Sequence, residues 1–147
     1  MRRRVGRSRW SPATSASFCA VCAALRPPDV HALRRREITL AARVDLAALL
    51  QRSEDDFGVR ARRRYEDLIH RALRELCFDP RRAGSQERPD LAPGIHAYHL
   101  RHSRRRGRRS EVGAPRHIAF YAFDAERVLV LRLLHDSMDF GRHLGGP

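Results

Sequence analysis

The stretch Arg116–His135, RHIAFYAFDAERVLVLRLLH, decides the fold because it holds two apolar runs separated by a short polar turn. Both runs are long and apolar enough to be central strands, and DAER between them is typical of a hairpin turn. Upstream, IHAYHLRH (residues 95–102) alternates as a third strand does, and REITL (36–40) is a short β-prone run. The sequence therefore predicts an antiparallel sheet of three to four strands.

Two helices are predicted before these strands. Apolar side chains recur at helical spacing from Leu40 to Phe57, with Thr39 as a plausible N-cap and Gly58 at the C-terminal end. A second amphipathic pattern runs from about Val59 to Phe78. The short link between the two helices predicts a helix hairpin. Because the helices come first and the strands follow, the fold class is α+β: a short N-terminal strand and a two-helix hairpin packed on the antiparallel sheet.

The positive charge is concentrated in two regions of the chain. There are 30 basic residues, all of them Arg, against 17 acidic ones, and residues 1–36 hold nine Arg with one acid. A loop at residues 101–109 holds six more Arg. It has two interpretations: an anion-binding patch, or a solvated loop that GC-rich codons have filled with Arg. The patch would consist of Arg101, Arg104, Arg105, Arg106, Arg108 and Arg109.

Residues 1–36 are predicted to be a disordered basic tail, because they are rich in Arg, Ser, Ala and Pro and lack hydrophobic periodicity. Translation from an alternative start codon near Val30 or Leu33 is a second interpretation of this segment. The domain proper is then expected to span residues 37–147.

The cysteines predict neither a disulfide framework nor a metal site. CAVC (residues 19–22) has no second pair of ligands, and Cys77 is expected to be a small buried residue in a reducing compartment. No run of 18 apolar residues is present, so no transmembrane helix is expected. We expect a cytoplasmic protein with no cofactor, no metal and no membrane partner.

Four segments, in the right order, resemble the ParE branch of the RelE/ParE toxins of bacterial type II toxin-antitoxin modules. The resemblance covers residues 37–147. The segments are LAARVDLAALLQRSEDDFG, RRRYEDLIHRALRELCFDPRRAGSQERPDLAPGIHAYHLRHSR, PRHIAFYAF and LRLLHDSMDFGRHL.

This resemblance implies a plasmid-stabilisation toxin that inhibits DNA gyrase by protein binding once it is released from its antitoxin. The implied antitoxin is ParD-like, with a ribbon-helix-helix domain through which the complex binds operator DNA. RelE relatives have the same fold and cut mRNA on the ribosome, so a ribosome-dependent mRNA endonuclease is the alternative. A shared fold does not decide between the two.

Candidate site residues follow from these two alternatives. A partner surface would use exposed side chains of the helices and of the C-terminal segment: Leu46, Leu50, Tyr65, Met138, Asp139 and Phe140. A nuclease would use Arg116, Arg132 and His135 for phosphate binding and proton transfer. Strand alternation places Arg132 with Val128, Val130 and Leu134, and His135 with Leu129, Leu131 and Leu133 on the other face. The pair would then point apart, so no catalytic residue is assigned and binding is favoured over enzymatic activity. The structural alternative for Arg132 is an ion pair at the sheet edge.

Overall fold

A computed structural model describes residues 33–105, 107 and 111–144. Helix α1 spans Leu40–Phe57 and helix α2 spans Val59–Phe78, as predicted. The Thr39 hydroxyl caps α1 by accepting a hydrogen bond from the amide of Ala42 at 3.1 Å. Gly58, at a φ of 84°, makes the turn into α2, a conformation that few other residues adopt. The predicted helix hairpin is therefore confirmed.

The sheet contains five strands in the order β1-β5-β4-β3-β2, so it is larger than the sequence predicts. The strands are β1 Arg35–Ile38, β2 Ser85–Glu87, β3 His96–His99, β4 His117–Phe123 and β5 Arg127–His135. β1 pairs with β5 in parallel, and the other pairs are antiparallel. The α+β class is confirmed, with β2–β5 forming an antiparallel sheet of four strands and the predicted N-terminal strand β1 added in parallel at its edge. β1 and β5 are too far apart in sequence for their pairing to show in any local pattern.

The third predicted strand ends earlier than its alternation suggests. Leu100–Ser103 form a 3-10 turn rather than the end of β3. The imidazole Nδ1 of His99 accepts the amide of Arg101, and the Ser103 hydroxyl bonds with the Tyr98 hydroxyl at 2.9 Å. These bonds between side chains and nearby groups compete with the ladder and turn the chain away from the sheet.

The N-terminal edge of the fold begins before residue 37. Arg34 is buried, and its Nε donates to the carbonyl oxygen of Asp124 at 2.7 Å. Arg35 and Arg36 belong to β1. Residues 34–36, which the sequence assigns to the tail, are therefore part of the fold. The rest of the predicted tail, including CAVC, lies outside the described residues apart from Leu33.

Strand β5 contains a bulge that simple alternation misses. Phe120 pairs with Arg132, but the next residue of β4, Tyr121, pairs with Val130. Leu131 is therefore the additional residue of β5. A bulge of this kind moves the residues that follow it to the opposite face relative to a regular strand.

The two faces of the sheet carry separate apolar clusters, and the bulge decides the membership of each. Val130 and Leu133 belong to the cluster under the helices, whereas Leu131 and Leu134 belong to the cluster on the other face. The predicted grouping of Leu134 with Val130 is thus wrong. Arg132 and His135 follow the bulge together, so they remain three residues apart on a regular segment and point to different faces.

Helix α1 is attached to β5 beyond the end of β1 by Asp45. Its carboxylate accepts hydrogen bonds from Arg132 Nε at 2.7 Å and Nη2 at 3.0 Å, and from the amide of Leu133 at 3.0 Å. Nearby, the Thr39 hydroxyl donates to the carbonyl oxygen of Leu131 at 2.8 Å. These bonds satisfy the strand edge that β1 leaves open. The expected ion pair of Arg132 at the sheet edge is therefore observed.

We predict that Asp45→Ala lowers the free energy of unfolding by about 3 kcal/mol. The substitution leaves the Leu133 amide and the mostly buried Arg132 guanidinium without their acceptor. Urea denaturation of the full chain measures the effect. Asp55→Ala on the same helix is the control, because that carboxylate is exposed and accepts only from Gln51. Equal free energies for wild type and Asp45→Ala would contradict the proposed attachment.

Candidate functional site

The ends of three strands bring a cluster of ionisable side chains together at one end of the sheet. His117 at the start of β4 pairs in register with His135 at the end of β5, and their rings meet edge to face at 5.2 Å between centroids. From α2, the Tyr65 hydroxyl lies 2.7 Å from His117 Nδ1. The amide of Arg116 donates to the same hydroxyl at 3.2 Å. Tyr65 therefore joins the helix hairpin to this end of the sheet.

Asp136 gathers the rest of the cluster. Its carboxylate accepts from Arg116 Nε at 3.1 Å and lies 3.7 Å from His99 Nε2 of β3. Burial opposes ionisation of Asp136, but the hydrogen bond and charge of Arg116, together with His135 and His99, outweigh it and hold the pKa of the carboxyl below its usual range. The pKa of His99 is lowered by burial and by nearby Arg101. An anionic Asp136 and a neutral His99 are the forms that this arrangement favours at neutral pH.

The sequence-predicted nuclease residues are divided between two places. Arg116 and His135 both contact Asp136, at 3.1 Å and 3.3 Å. Arg132 lies at the sheet edge, where it is held by Asp45 and donates to the carbonyl oxygen of His143 at 2.6 Å. No contact joins Arg132 to His135 among the described residues. The structure thus brings two of the three candidates together and leaves the third out.

The hydrogen bonds of His135 limit what it can do as a base. Its Nδ1 lies 2.7 Å from the Ser137 hydroxyl and accepts the Ser137 amide at 3.2 Å. An Nδ1 that accepts a hydrogen bond carries no proton, so in the neutral ring the proton lies on Nε2. The free nitrogen of neutral His135 is therefore a donor, which suits binding of an oxygen better than removal of a proton.

Of the six predicted partner-surface residues two are exposed, three are half-buried and one is buried. Leu46 and Leu50 of α1 are half-buried, and Met138 is 41% exposed. Tyr65 is buried, so it cannot contribute to an exposed surface. Phe140 begins the short helix α3, Phe140–His143, where it is half-buried against Phe120 with ring centroids 4.9 Å apart. The expectation of an exposed Tyr65 and Phe140 is therefore wrong.

Asp139 stays exposed at the start of α3 and has a local structural role. Its carboxylate accepts the amide of Gly141 at 3.1 Å and lies 3.5 Å from Arg142 Nε. α3 packs on the sheet face away from the helix hairpin, since Phe140 and Leu144 adjoin the second apolar cluster. Met138 and Asp139 thus project from a different face of the sheet than Leu46 and Leu50.

The Arg-rich loop is described only in part. Arg101, Arg104 and Arg105 are exposed, and Arg101 belongs to the 3-10 turn. The other predicted anion-binding residues, Arg106, Arg108 and Arg109, lie outside the described residues. Both interpretations of the loop therefore remain predictions.

Sequence reasoning misses two concave surfaces around the helix hairpin. An apolar hole of about 130 Å³ lies between β1, α1 and α2. Its walls are Ile38, Leu46, Leu50, Ile69 and Leu73, and its rim carries Arg36, Glu66 and His70. A wider cleft of about 730 Å³ adjoins it on the outer side of α2. No local signal reveals them, because their walls come from segments whose packing the sequence does not specify.

The burial of His117 predicts a pH dependence of stability. Burial, with Coulombic help from His135 and Arg52 and opposed by Asp136, lowers the pKa of His117 from 6.5 to about 4. The unfolded chain therefore takes up this proton below pH 6.5, whereas the folded chain does so only near pH 4. The neutral, buried His117 therefore stabilises the fold fully above the pKa of the unfolded chain, and this stabilisation is lost as the pH falls towards the pKa of the folded chain.

We expect the free energy of unfolding to fall by about 2 kcal/mol more in wild type than in His117→Gln between neutral pH and pH ~4.5, after allowance for solvent screening. Urea titrations at the two pH values measure it. His143→Gln, at an exposed position of α3, should keep the wild-type dependence. An equally steep loss in His117→Gln would show that another group is responsible.

The comparisons with known proteins agree with this fold. Residues 36–140 match the family model described as ParE toxin of type II toxin-antitoxin system, parDE. No curated protein matches the chain significantly. Among the described residues, no helix is both long and apolar enough to cross a membrane, and no three His, Cys, Asp or Glu side chains are grouped to hold a metal ion. The match covers well over half of the chain, β1 through the start of α3, and the chain therefore belongs to the ParE toxin family of type II toxin-antitoxin systems.

Proposed function

We propose that the chain arrests growth by binding DNA gyrase, and that an antitoxin holds it inactive until release. The engagement of Arg132 carries this proposal. Its guanidinium is bound by Asp45 and by the carbonyl oxygen of His143, so it is not free to hold a phosphate. A metal-independent nuclease needs a free cation beside its acid and base. The geometry therefore supports a binding toxin better than a hydrolytic one.

We assign the gyrase contact to the C-terminal segment around Met138 and Asp139. Met138 is a large apolar side chain left 41% exposed beside the exposed Asp139. Flexible, polarisable Met side chains are suited to binding surfaces. The Phe140 ring packs on the Phe120 ring of β4, and this contact fixes the segment that carries the exposed residues to the sheet. The operator DNA of the module would be bound through the antitoxin, which we expect to have a ribbon-helix-helix domain.

We assign the antitoxin contact to the apolar hole beside Leu46 and Leu50. A hole of about 130 Å³ with apolar walls can receive one aliphatic side chain of a segment that folds on binding. The hole lies between β1 and the helix hairpin, whereas Met138 directly precedes α3, whose Phe140 packs on the other face of the sheet. Antitoxin and gyrase would thus contact separate surfaces.

The mRNA endonuclease remains the second candidate because one observation favours it. Arg116, His99 and His135 surround the Asp136 carboxylate at the open end of the sheet. Arg116 is largely exposed, and such a cation beside two imidazoles could bind a phosphodiester.

A paired assay separates the two candidates. Purified chain should inhibit supercoiling by gyrase and leave mRNA on translating ribosomes intact, and His135→Ala should inhibit gyrase as wild type does. Among the described residues the His135 ring contacts His117, Asp136 and Ser137 and not the Met138 side chain, so its loss should leave that side chain available to gyrase. Cleavage of mRNA by wild type that is lost in His135→Ala would establish the nuclease and reject the proposal.

If the antitoxin inserts a side chain into the apolar hole, shortening a residue in the wall of the hole should weaken antitoxin binding. Leu46→Ala should weaken binding of the antitoxin by about tenfold to a hundredfold, since well-packed interface residues contribute most of the binding energy. Isothermal titration calorimetry with the product of the adjacent antitoxin gene measures it. Leu40→Ala, on the same helix but 78% exposed and outside the hole, is the matched control. Equal losses in both variants would place the antitoxin elsewhere.

A further inference from the structure

The cleft on the outer side of α2 is lined mainly by cationic side chains. It has a volume of about 730 Å³. Leu33 lines it from just before β1, Arg36 from β1, Asp67, His70 and Arg74 from α2, and Arg105 from the loop after the 3-10 turn. Asp67 is the only acidic residue among the lining side chains that the structure describes.

Most of the cleft's guanidinium groups have no anionic partner. Two lining arginines are already engaged: Arg34 donates to the carbonyl oxygen of Asp124, and Arg71 pairs with Glu111 at 2.9 Å. Within the described part of the chain, Arg36, Arg74 and Arg105 form no ion pair. Three uncompensated guanidinium groups around one concavity create a positive potential that attracts carboxylates or phosphates.

The cleft adjoins the apolar hole. Arg36 and His70 line both concavities, so the cationic residues lie next to the apolar walls. A ligand that fills both must carry an apolar group next to several negative charges. A polypeptide with acidic residues beside an aliphatic one meets this requirement, whereas a nucleic acid backbone matches only the cleft. Among the described lining residues there is no Phe, Tyr or Trp, and His70 is the single aromatic ring, so the cleft lacks a row of rings on which successive bases could stack.

We propose that the cleft binds an acidic segment of the antitoxin, contiguous with the aliphatic side chain that enters the hole. The inference rests on the proposed antitoxin contact and adds the chemistry of the partner: carboxylates that pair with Arg36, Arg74 and Arg105. Other parts of this chain do not fit the cleft. Residues 1–32 hold six Arg against one acid, and a second copy would bring a net charge of +13. Both would be repelled by the cleft.

Fluorescence anisotropy with the purified full chain tests the proposal. The probes are a labelled short peptide of Glu with Leu at intervals, its counterpart with Gln in place of Glu, and a labelled DNA duplex. Arg36→Ser/Arg74→Ser removes two cleft charges. Arg43→Ser/Arg52→Ser is the matched control, because it removes two exposed charges of α1 that lie outside the cleft.

The acidic peptide should bind about tenfold more weakly to the cleft variant and within about twofold of wild type to the control. The Gln peptide should bind weakly to all three proteins. Arg105→Ser, which lies outside helices and strands, should weaken binding about threefold and shows the effect without touching β1 or α2.

Equal losses in the cleft and control variants would overturn the proposal, because they would show attraction by net charge alone. A duplex that loses more affinity than the acidic peptide in the cleft variant would also overturn it, in favour of nucleic acid. The assay contains neither gyrase nor antitoxin, so its result is independent of the supercoiling test. Failure of the proposed function and failure of this inference are thereby distinguishable.

Discussion

The carboxylate of Asp45 is the interaction on which the arrangement of helices and sheet depends. β1 covers only the first half of the β5 edge, and the bulge at Leu131 then turns the edge of β5 towards α1. Asp45 accepts hydrogen bonds from both the amide of Leu133, which β1 does not reach, and the guanidinium of Arg132 at this point. A half-buried guanidinium and a strand amide are costly without an acceptor. One side chain of α1 therefore fixes the helix hairpin against the bulged strand.

This constraint also shapes the functional interpretation. The guanidinium that Asp45 holds is one of the two proposed above for phosphate binding, and the other, Arg116, is the one that contacts Asp136 in the histidine cluster. At the same time the bulge distributes Leu133 and Leu134 to opposite faces. Each face of the sheet thus supports a separate exposed surface: the helix hairpin with its apolar hole on one, and the C-terminal segment on the other. In the proposed function, the antitoxin would contact the first of these surfaces and gyrase the second.

The sequence predicts the local elements well and their long-range pairing poorly. Helix α1, its Thr39 cap and the turn at Gly58 follow from spacing and from residue chemistry, which act within a few residues. The parallel pairing of β1 with β5 and the strand β2 depend on contacts between distant segments, so no local pattern reveals them. Gly84, which directly precedes β2, is an example of a long-range constraint. A Cβ at this position would lie 2.6 Å from the ring of His102, and the two residues are neighbours only in the folded chain.

The candidate site divides in the same way. The alternation of side chains along β5 correctly places Arg132 and His135 on different faces, because no irregularity lies between them. It places Leu134 on the wrong face relative to Val130, because the bulge at Leu131 lies between these two residues. The exposure of Phe140 is mispredicted since its partner, Phe120, lies on another element. The clustering of His99 with Asp136 requires the register of three strands. A sequence shows which residues have ionisable side chains, but the pairing of the strands determines which of them lie together.

The superhelical state of a plasmid in cells shows whether gyrase is the target. After induction of the full chain in cells without antitoxin, plasmid DNA is separated into topoisomers on a chloroquine gel. We expect negative supercoiling to decrease before growth stops, while full-length mRNAs persist. Unchanged topoisomers in arrested cells whose mRNAs are cut would show that the chain acts on mRNA and not on gyrase.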